Sequence, residues 1–343
     1  MHLCVVDPAD EAAVAALHRI YVTVGRADDP EAFVAAPVEE ILECLREPTA
    51  RFAFTAFLGL EDGEAVASGW CALALADAPQ LAYATPRVLP EFRRRGYGSR
   101  VLAAMERHAG AHGRTCLQSL AVWSADHGPD GSGSAPAGFA AAHGFGLAKA
   151  NIRLRLELPS DPARLDALLG ERAAGRVGYT TRAWVGPVPA ELLPGWAVLH
   201  AVLSADEPHG ALERPEETSN PNTIRDDERI LARSGQVKVN AAVLSPAGET
   251  VAYSSISTRI GSPEAAFLRG TVVHRGHRGL GLGALAKVQA LRLLERTRPD
   301  ISAVITENDQ ENTHILELNR AMGFLPVLYS GAFQKHIGAS AAS

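Results

Sequence analysis

The sequence has few cysteines and no long apolar run. Its 343 residues include four cysteines, all in the first half and none in a CxxC pair. This scattered spacing favours small buried thiols over disulfides or a zinc site, so we expect no metal. No apolar run approaches the roughly 20 residues that a membrane-spanning helix needs, and we therefore expect no membrane partner.

The sequence also lacks an excess of basic residues. Its formal net charge is −6, whereas affinity for nucleic acid comes mainly from a dense basic surface that neutralises phosphates. Nucleic acid is therefore not an expected partner. The segment from Met1 to Asp10 lacks the basic start and the apolar stretch of a secretion signal, which predicts a cytoplasmic protein.

The apolar content is sufficient for two hydrophobic cores. Apolar residues make up 47% of the chain, and its length fits two domains of roughly 150 residues each. We expect the first domain at residues 1–158, a helical linker at 159–178 and the second domain at 179–343.

Helical and alternating apolar patterns in the first half predict an α/β fold. Two helices come first, followed by a strand hairpin with Asp62-Gly63 at its turn, a third strand and a helix. A strand, a short helix and a final strand complete the half. The predicted segments, apart from the short helix, are 11–24, 38–46, 52–60, 65–75, 81–89, 99–109, 116–123 and 148–158.

The second half repeats this order of elements. Arg278 lies 185 positions after Arg93, and Gly323 lies 179 positions after Gly144. A longer glycine-rich loop at residues 126–136 of the first half explains the small difference between these offsets, so internal duplication is favoured. The predicted segments are 179–184, 190–203, 225–233, 237–244, 251–258 and 266–273, before a helix that starts near residue 282.

Each half contains a glycine-spaced loop between a strand and a helix. Such a loop directs several backbone N–H groups at one point, where the helix dipole adds partial positive charge, so it binds phosphate. Glycine permits φ > 0 and close approach of the anion, and arginine supplies charge. In the first half the loop comprises Arg93, Arg94, Arg95, Gly96, Tyr97, Gly98 and Ser99 and follows Val88, and in the second half it comprises Arg278, Gly279, Leu280, Gly281, Leu282 and Gly283 and follows Val273.

The segment from Val88 to Gly98 resembles the Gln/Arg-x-x-Gly-x-Gly/Ala loop of the GCN5-related N-acetyltransferase (GNAT) superfamily, and the segment from Val273 to Gly283 matches it again. The resemblance implies an α/β (α+β) protein of two tandem GNAT folds, each a mixed, mostly antiparallel sheet flanked by helices. It also implies that each loop holds the pyrophosphate of acetyl-CoA or another acyl-CoA, so that the loop residues named above, with Val88 and Val273 on the preceding strands, are the predicted ligand-binding residues. The chain resembles the tandem members, which include mycothiol synthase and acyltransferases of actinobacterial antibiotic clusters of the clavulanic acid type.

A second block of the superfamily is also present in the second half. Asn308, Asn312 and Asn319 precede Met322-Gly323-Phe324, and in the superfamily an asparagine of this block contacts the pantetheine arm. Asn308 and Asn312 could instead cap a short helix. The resemblance therefore adds Asn308 and Asn312 to the residues expected to bind coenzyme A.

Many superfamily members place a tyrosine four residues before the glycine of this block, where it protonates the departing thiolate. Ala140 and Asn319 stand at that position here. Alanine donates no proton, whereas asparagine could orient the sulfur or a water molecule. The resemblance thus favours the second domain for turnover and leaves the first to hold acyl-CoA as a structural or regulatory ligand.

The attacking amine must also lose a proton, which superfamily enzymes transfer to a carboxylate or a histidine. The catalytic candidates are Asn319, Glu307 and His274. Further candidates are Asp206, Glu207, His209 and Asp309. Each of these carboxylates and histidines, Glu307 and His274 included, is more typical of a solvated surface or a helix end.

Three motifs also fit a second interpretation. The segment Gly279 to Gly283 could suggest a dinucleotide fingerprint, but that pattern needs an opening βαβ unit, and this loop comes late in the chain. Arg93-Arg94-Arg95 alone would indicate a solvated basic patch, and only its place in the loop favours binding. His108 and His112 have the i, i+4 spacing of metal ligands but lack a third ligand, and their place in the last turn of a helix predicts a structural role.

The residues and the resemblance together predict an acyltransferase (EC 2.3.1). It would transfer an acyl group to the amine or hydroxyl of a small molecule, by direct attack in a ternary complex, and the resemblance favours an acceptor from secondary metabolism. The alternative is a non-catalytic protein that senses acyl-CoA or supports a partner, and the missing tyrosine is its support. Acetylation of proteins is less favoured, because the sequence indicates no docking groove. We expect a monomer or a homodimer.

Overall fold

A computed structural model describes residues 1–30, 33–49, 51–75, 78–171, 173–206, 210–213, 220–233, 235–259 and 265–338. The chain divides into two compact units, and the second is interrupted by a short segment that belongs to the first. Unit 1 comprises Met1–Asn151, His209–Pro215 and Leu328–Ser343, and unit 2 comprises Ile152–Pro208 and Glu216–Val327.

The first half has the predicted order of elements, with one additional strand at its start. The elements are β1 (His2–Val5), α1 (Glu11–Asp28), α2 (Val38–Arg46), β2 (Phe52–Glu61), β3 (Glu64–Ala74), β4 (Leu81–Val88), α3 (Tyr97–Ala111), β5 (Cys116–Ser124), α4 (Ala135–Ala142) and β6 (Gly146–Glu157). β1 is not predicted from the sequence, because four residues are too few to establish an alternating pattern.

The second half also follows the predicted order. Its elements are α5 (Pro162–Gly170), β7 (Thr180–Val185), α6 (Leu193–Asp206), α7 (Pro221–Arg233), β8 (Gln236–Leu244), β9 (Thr250–Arg259), β10 (Ala266–Val273), α8 (Leu282–Thr297), β11 (Ala303–Asp309), α9 (Thr313–Met322) and β12 (Leu325–His336). The short helix α5 lies in the segment that the sequence predicts as a helical linker. None of the described helices is long and apolar enough to cross a membrane.

In each unit the strand pairing is mixed and mostly antiparallel, as predicted. The sheet of unit 1 has the order β1-β2-β3-β4-β5-β12, and in it only β4 and β5 pair in parallel. Unit 2 has the strand order β6-β11-β10-β9-β8-β7, to which β6 contributes its residues from Ile152 onward, with β10 and β11 parallel and the ladder from β10 to β7 antiparallel. Among the described ladders, each unit therefore contains a parallel pair of strands, β4 with β5 in unit 1 and β10 with β11 in unit 2.

Local signals in the sequence account for the first helix and the first hairpin. The side chain of Asp10 accepts a hydrogen bond from the Ala13 amide and so caps α1, as is typical of an aspartate at the N-cap of a helix. Asp62 and Gly63 have φ values of 51° and 85°, which is the left-handed backbone of a tight hairpin turn. The buried residues of α1 are Val14, Leu17, Ile20 and Val24, and their spacing places them on one face.

The contact between β3 and α3 depends on Gly69. A Cβ atom at this position would lie 2.6 Å from Cγ1 of Val101 and 2.9 Å from Sδ of Met105. We expect Gly69→Val to lower the free energy of unfolding by about 1–3 kcal/mol, because overpacking forces neighbouring side chains out of their rotamers. Urea unfolding would measure the loss. Gly146→Val is the control, because no described atom lies within 4 Å of a Cβ added there, and an equal loss in both variants would contradict the packing argument.

Candidate functional site

In unit 1 the strand β4 is joined to the helix α3 by a tight, glycine-rich loop. After β4 the chain makes a 3-10 turn at Pro90–Phe92, and Gly96 then precedes α3 with a φ of 80°. No side chain caps the start of α3, so the first amides of this helix are available to a ligand. No described atom lies within 4 Å of a Cβ added at Gly96, and the space in front of the loop is therefore open.

Unit 2 repeats this geometry between β10 and α8. The 3-10 turn is Arg275–His277, and Gly279 and Gly281 have φ values of 84° and 72°. Gly281 precedes α8, and no side chain caps this helix. A Cβ added at Gly279 or Gly281 would also meet no described atom within 4 Å. Each unit thus has an uncapped helix N-terminus behind a left-handed glycine, which is an arrangement that binds phosphate groups.

The leading arginines of the two loops make the same contacts. Nε of Arg93 donates to the Val88 carbonyl at 3.1 Å, and its Nη2 lies 2.8 Å from Oδ1 of Asp28 at the end of α1. Nε of Arg278 donates to the Val273 carbonyl at 3.3 Å. Each guanidinium therefore ties its loop to the end of the preceding strand.

The second contact of Arg278 is with Asp206, the last residue of α6. Arg275 also pairs with Asp206, at 2.8 Å. Although partial burial of Asp206 acts to raise its pKa, the hydrogen bonds from the two arginines outweigh this and leave the pKa below its usual value. A carboxylate held in this way is a poor proton acceptor, so Asp206 is a structural partner of the loop.

The strands that lead to the loops separate from their parallel neighbours. In unit 1, β4 and β5 pair only from Leu81 and Cys116 to Tyr83 and Gln118, although β4 continues to Val88. In unit 2, β10 and β11 pair over two residues on each strand. Beyond these pairs each unit has an opening between two strands that ends at the glycine loop. In paired strands, hydrogen bonds to the neighbouring strand occupy the backbone amides and carbonyls. The separated stretches lack these bonds on one side, so their amides and carbonyls are available to an extended ligand.

The asparagines of unit 2 form a buried hydrogen-bonded chain with Lys287. Asn319 is fully buried, and its Nδ2 donates to Oδ1 of Asn308 at 2.7 Å. Nζ of Lys287 donates to Oδ1 of Asn319. The side chain of Asn312 accepts a hydrogen bond from the Ile315 amide at 3.3 Å and caps α9. Asn308 and Asn319 thus lie together, whereas Asn312 has the helix-capping role that the sequence left open.

Lys287 is a site residue that sequence reasoning missed. Its position among Ala286, Val288 and Ala290 on the apolar side of α8 was the available signal. Burial lowers the pKa of its ammonium to about 7.

The other catalytic candidates have structural partners. Glu307 is in an ion pair with Arg153 at 2.9 Å. Nδ1 of His274 accepts from the Gly276 amide at 3.3 Å, and Oδ1 of Asp309 accepts from the Glu311 amide at 2.8 Å. Glu207 and His209 lie outside the described residues. Roles for Glu307 and His274 in proton transfer stay predictions.

The cysteines are all free thiols, and two of them are buried. Cys116 lies with Glu213 and His336 in unit 1, where one potential ligand atom from each residue falls within 4.8 Å of the others. Burial, with a smaller contribution from Glu213, raises the pKa of the Cys116 thiol to about 11.

Comparison with known proteins agrees with this geometry. Residues 12–128 match the family model of the acetyltransferase (GNAT) family. A solved structure described as a tandem GNAT protein from the clavulanic acid biosynthesis pathway is 26% identical, with a TM-score of 0.78 and 99% of each chain covered. A GCN5-related N-acetyltransferase from Sphaerobacter thermophilus is 17% identical, with a TM-score of 0.61, 97% of this chain and 95% of that one covered. No curated protein sequence matched this chain.

The fold and the two loops are those of an α/β protein similar to tandem GNAT proteins. Residues 12–128 carry the match to the acetyltransferase (GNAT) family, and members of that family use acyl-CoA as a substrate. The fold therefore supports an acyl-CoA-dependent acyltransferase.

Proposed function

We propose that this protein transfers the acyl group of acetyl-CoA or another acyl-CoA to the amine or hydroxyl of a small molecule, with unit 2 as the catalytic unit. The observation that carries the proposal is the uncapped helix start behind Gly281, at the end of the opening between β10 and β11. The 26% identical tandem GNAT protein from the clavulanic acid pathway favours an acceptor from secondary metabolism. We expect a cytoplasmic monomer or homodimer.

The proposed reaction is a direct transfer. The acceptor nitrogen or oxygen attacks the thioester carbonyl carbon, the C–S bond breaks, the acceptor gives up one proton, and the thiolate of coenzyme A takes one up. The amides at the start of α8 would hold the pyrophosphate, and the free backbone groups of β10 would hold the pantetheine arm. In this scheme unit 1 holds acyl-CoA structurally, because Ala140 stands where Asn319 stands in unit 2.

Two measurements together test the proposal. Native mass spectrometry of the purified protein would show how many coenzyme A molecules it retains. Thiol release from acetyl-CoA, followed with a panel of small amines and alcohols, would then show turnover. We expect retained coenzyme A and acceptor-dependent thiol release, and absence of any coenzyme A binding would overturn the proposal.

The second candidate function is a sensor of acyl-CoA that does not turn over. It is favoured by Asn319 and Ala140, neither of which can replace a tyrosine as a proton donor. Tight stoichiometric binding of acyl-CoA without thiol release, for every acceptor tried, would select the sensor.

A further inference from the structure

Lys287 is buried without a carboxylate partner among its described contacts. Its side chain is 2% exposed, its Nζ donates to Asn319, and its ammonium lies 5.7 Å from the centre of the Phe324 ring. Removing an ammonium from water carries a large free-energy penalty, which a single amide oxygen and an aromatic ring offset only in part. Packing alone therefore does not explain why a lysine occupies this buried position.

Lys287 determines the direction of the hydrogen bonds that follow it. A protonated lysine only donates, so Asn319 must accept through Oδ1 and use Nδ2 to donate to Oδ1 of Asn308. The hydroxyl of Thr306 also donates to Oδ1 of Asn308, at 3.5 Å. The acceptor oxygen of Asn308 is thereby occupied. Its amide nitrogen has no partner among the described residues and remains as a donor.

The chain of polar groups ends at the opening between β10 and β11. The last parallel pair of these strands joins Phe267 to Ile305, and Asn308 lies three residues beyond that pair. Asn308 is half-buried, whereas Lys287 and Asn319 are almost completely buried. The Asn308 amide, which Lys287 fixes as a donor through Asn319, therefore lies at the partly open end of the chain of polar groups.

Unit 1 has the same fold without this chain of polar groups. The equivalent positions follow from the loop glycines, from the glycines after α4 and α9, and from the register of the two parallel pairs. They are Leu102 for Lys287, Ala140 for Asn319 and Leu120 for Asn308. All three residues of unit 1 are apolar, so the fold itself does not require the polar chain.

We propose that Lys287 is a positioning residue, which acts through Asn319 to make the Asn308 amide a donor to a carbonyl oxygen of the pantetheine arm of acyl-CoA. This proposal rests on the proposed use of acyl-CoA by unit 2. It does not require turnover, since the amide would contact coenzyme A in an enzyme and in a sensor alike.

Binding measurements with two ligands test the proposal. One ligand is coenzyme A, and the other is adenosine 3′-phosphate 5′-diphosphate, which has the pyrophosphate but lacks the pantetheine arm. All variants carry Gly96→Val, which obstructs the loop of unit 1, so that calorimetry reports unit 2. We expect Lys287→Met to weaken coenzyme A binding about tenfold, because one hydrogen bond to the arm loses its alignment, and to leave binding of the fragment unchanged.

Asn319→Asp separates the direction of the hydrogen bonds from the packing of the site. The carboxylate keeps a partner for Lys287 and has nearly the same shape, but it cannot donate to Asn308. We expect the same selective loss of coenzyme A binding as in Lys287→Met, in a protein that remains folded. Normal coenzyme A binding by Asn319→Asp would overturn the proposal, because a purely structural role of Lys287 is preserved by that substitution.

A triple variant keeps the proposal testable if a single substitution prevents folding. Lys287→Leu, Asn308→Leu and Asn319→Ala together copy the apolar residues of unit 1, and replacing a complete buried polar group by apolar residues is often neutral for stability. We expect this variant to bind the fragment normally and coenzyme A about tenfold more weakly. Equal weakening for both ligands would also contradict the proposal, whereas absence of all coenzyme A binding in the parent protein would instead refute the proposed function.

Discussion

Gly281→Val is expected to abolish most thiol release from acyl-CoA. Gly281 has a φ of 72° and faces open space in front of α8. A valine there would be strained in the left-handed region and would place its branched side chain where the pyrophosphate is proposed to lie. Loss of two charge-assisted hydrogen bonds at about 1.5 kcal/mol each corresponds to a decrease of roughly 100-fold in the rate at limiting acyl-CoA.

Two control variants distinguish this effect from backbone strain. Gly248 lies in the turn between β8 and β9, has a φ of 84°, and also faces open space. Gly248→Val therefore introduces a similar strain in the same unit away from the loop, and we expect it to keep most of the activity. Gly96→Val makes the equivalent change in unit 1 and is expected to lower turnover much less than Gly281→Val. If Gly96→Val has the larger effect on thiol release, the catalytic unit has been assigned incorrectly.

The glycine loops could be predicted because their information is local. A positive φ is readily adopted by glycine and rarely by other residues, so the spacing of Gly279 and Gly281 after a strand indicates the loop directly. The same holds for the turn at Asp62-Gly63 and for α2, whose bounds Val38–Arg46 agree with the predicted segment. These features depend on neighbouring residues and not on distant contacts.

The pairing of β12 could not be predicted in the same way. β12 pairs antiparallel with β5, from Leu328 opposite Ser124 to His336 opposite Cys116. The predicted second domain at residues 179–343 includes this strand. However, the order of elements along a chain does not determine which sheet edge a terminal strand joins, since that depends on the register and burial of the finished sheets. The domain limits at residues 158 and 178 stay predictions.

The contact between Lys287 and Asn319 could not be predicted either. Lysine is usually exposed, and only the fold places Asn319, 32 residues later, against its ammonium. The partners of Arg93 and Arg278 were missed for a similar reason. Asp28 and Asp206 end helices that are remote in sequence from the loops. Polar contacts of this kind arise from tertiary packing, and neither spacing nor composition indicates them.

Buried Lys287 should make the stability of the protein rise with pH. The usual pKa of lysine is 10.5, and burial lowers that of Lys287 to about 7. The unfolded chain therefore binds more protons than the folded protein between these two values, and the free energy of unfolding rises with pH across that window. The penalty is fully present below pH 7 and disappears as the pH rises through the unfolded pKa of 10.5.

Lys287→Met removes this contribution, because methionine has no ionisable group. Between about pH 6.5 and pH 9.5, we expect the wild type to gain roughly 3 kcal/mol of unfolding free energy relative to the variant, at about 1.4 kcal/mol for each pKa unit. The Asn319 oxygen left without its donor lowers the stability of the variant by a constant amount at both pH values, so it does not affect this difference. Urea unfolding at several pH values gives the measurement.

Leu291→Met, at another buried position of α8, is the matched control and should show no such pH dependence. A parallel stability profile for the wild type and Lys287→Met would mean that the ammonium reaches water or an anionic partner in solution, and that Lys287 does not act as a buried donor.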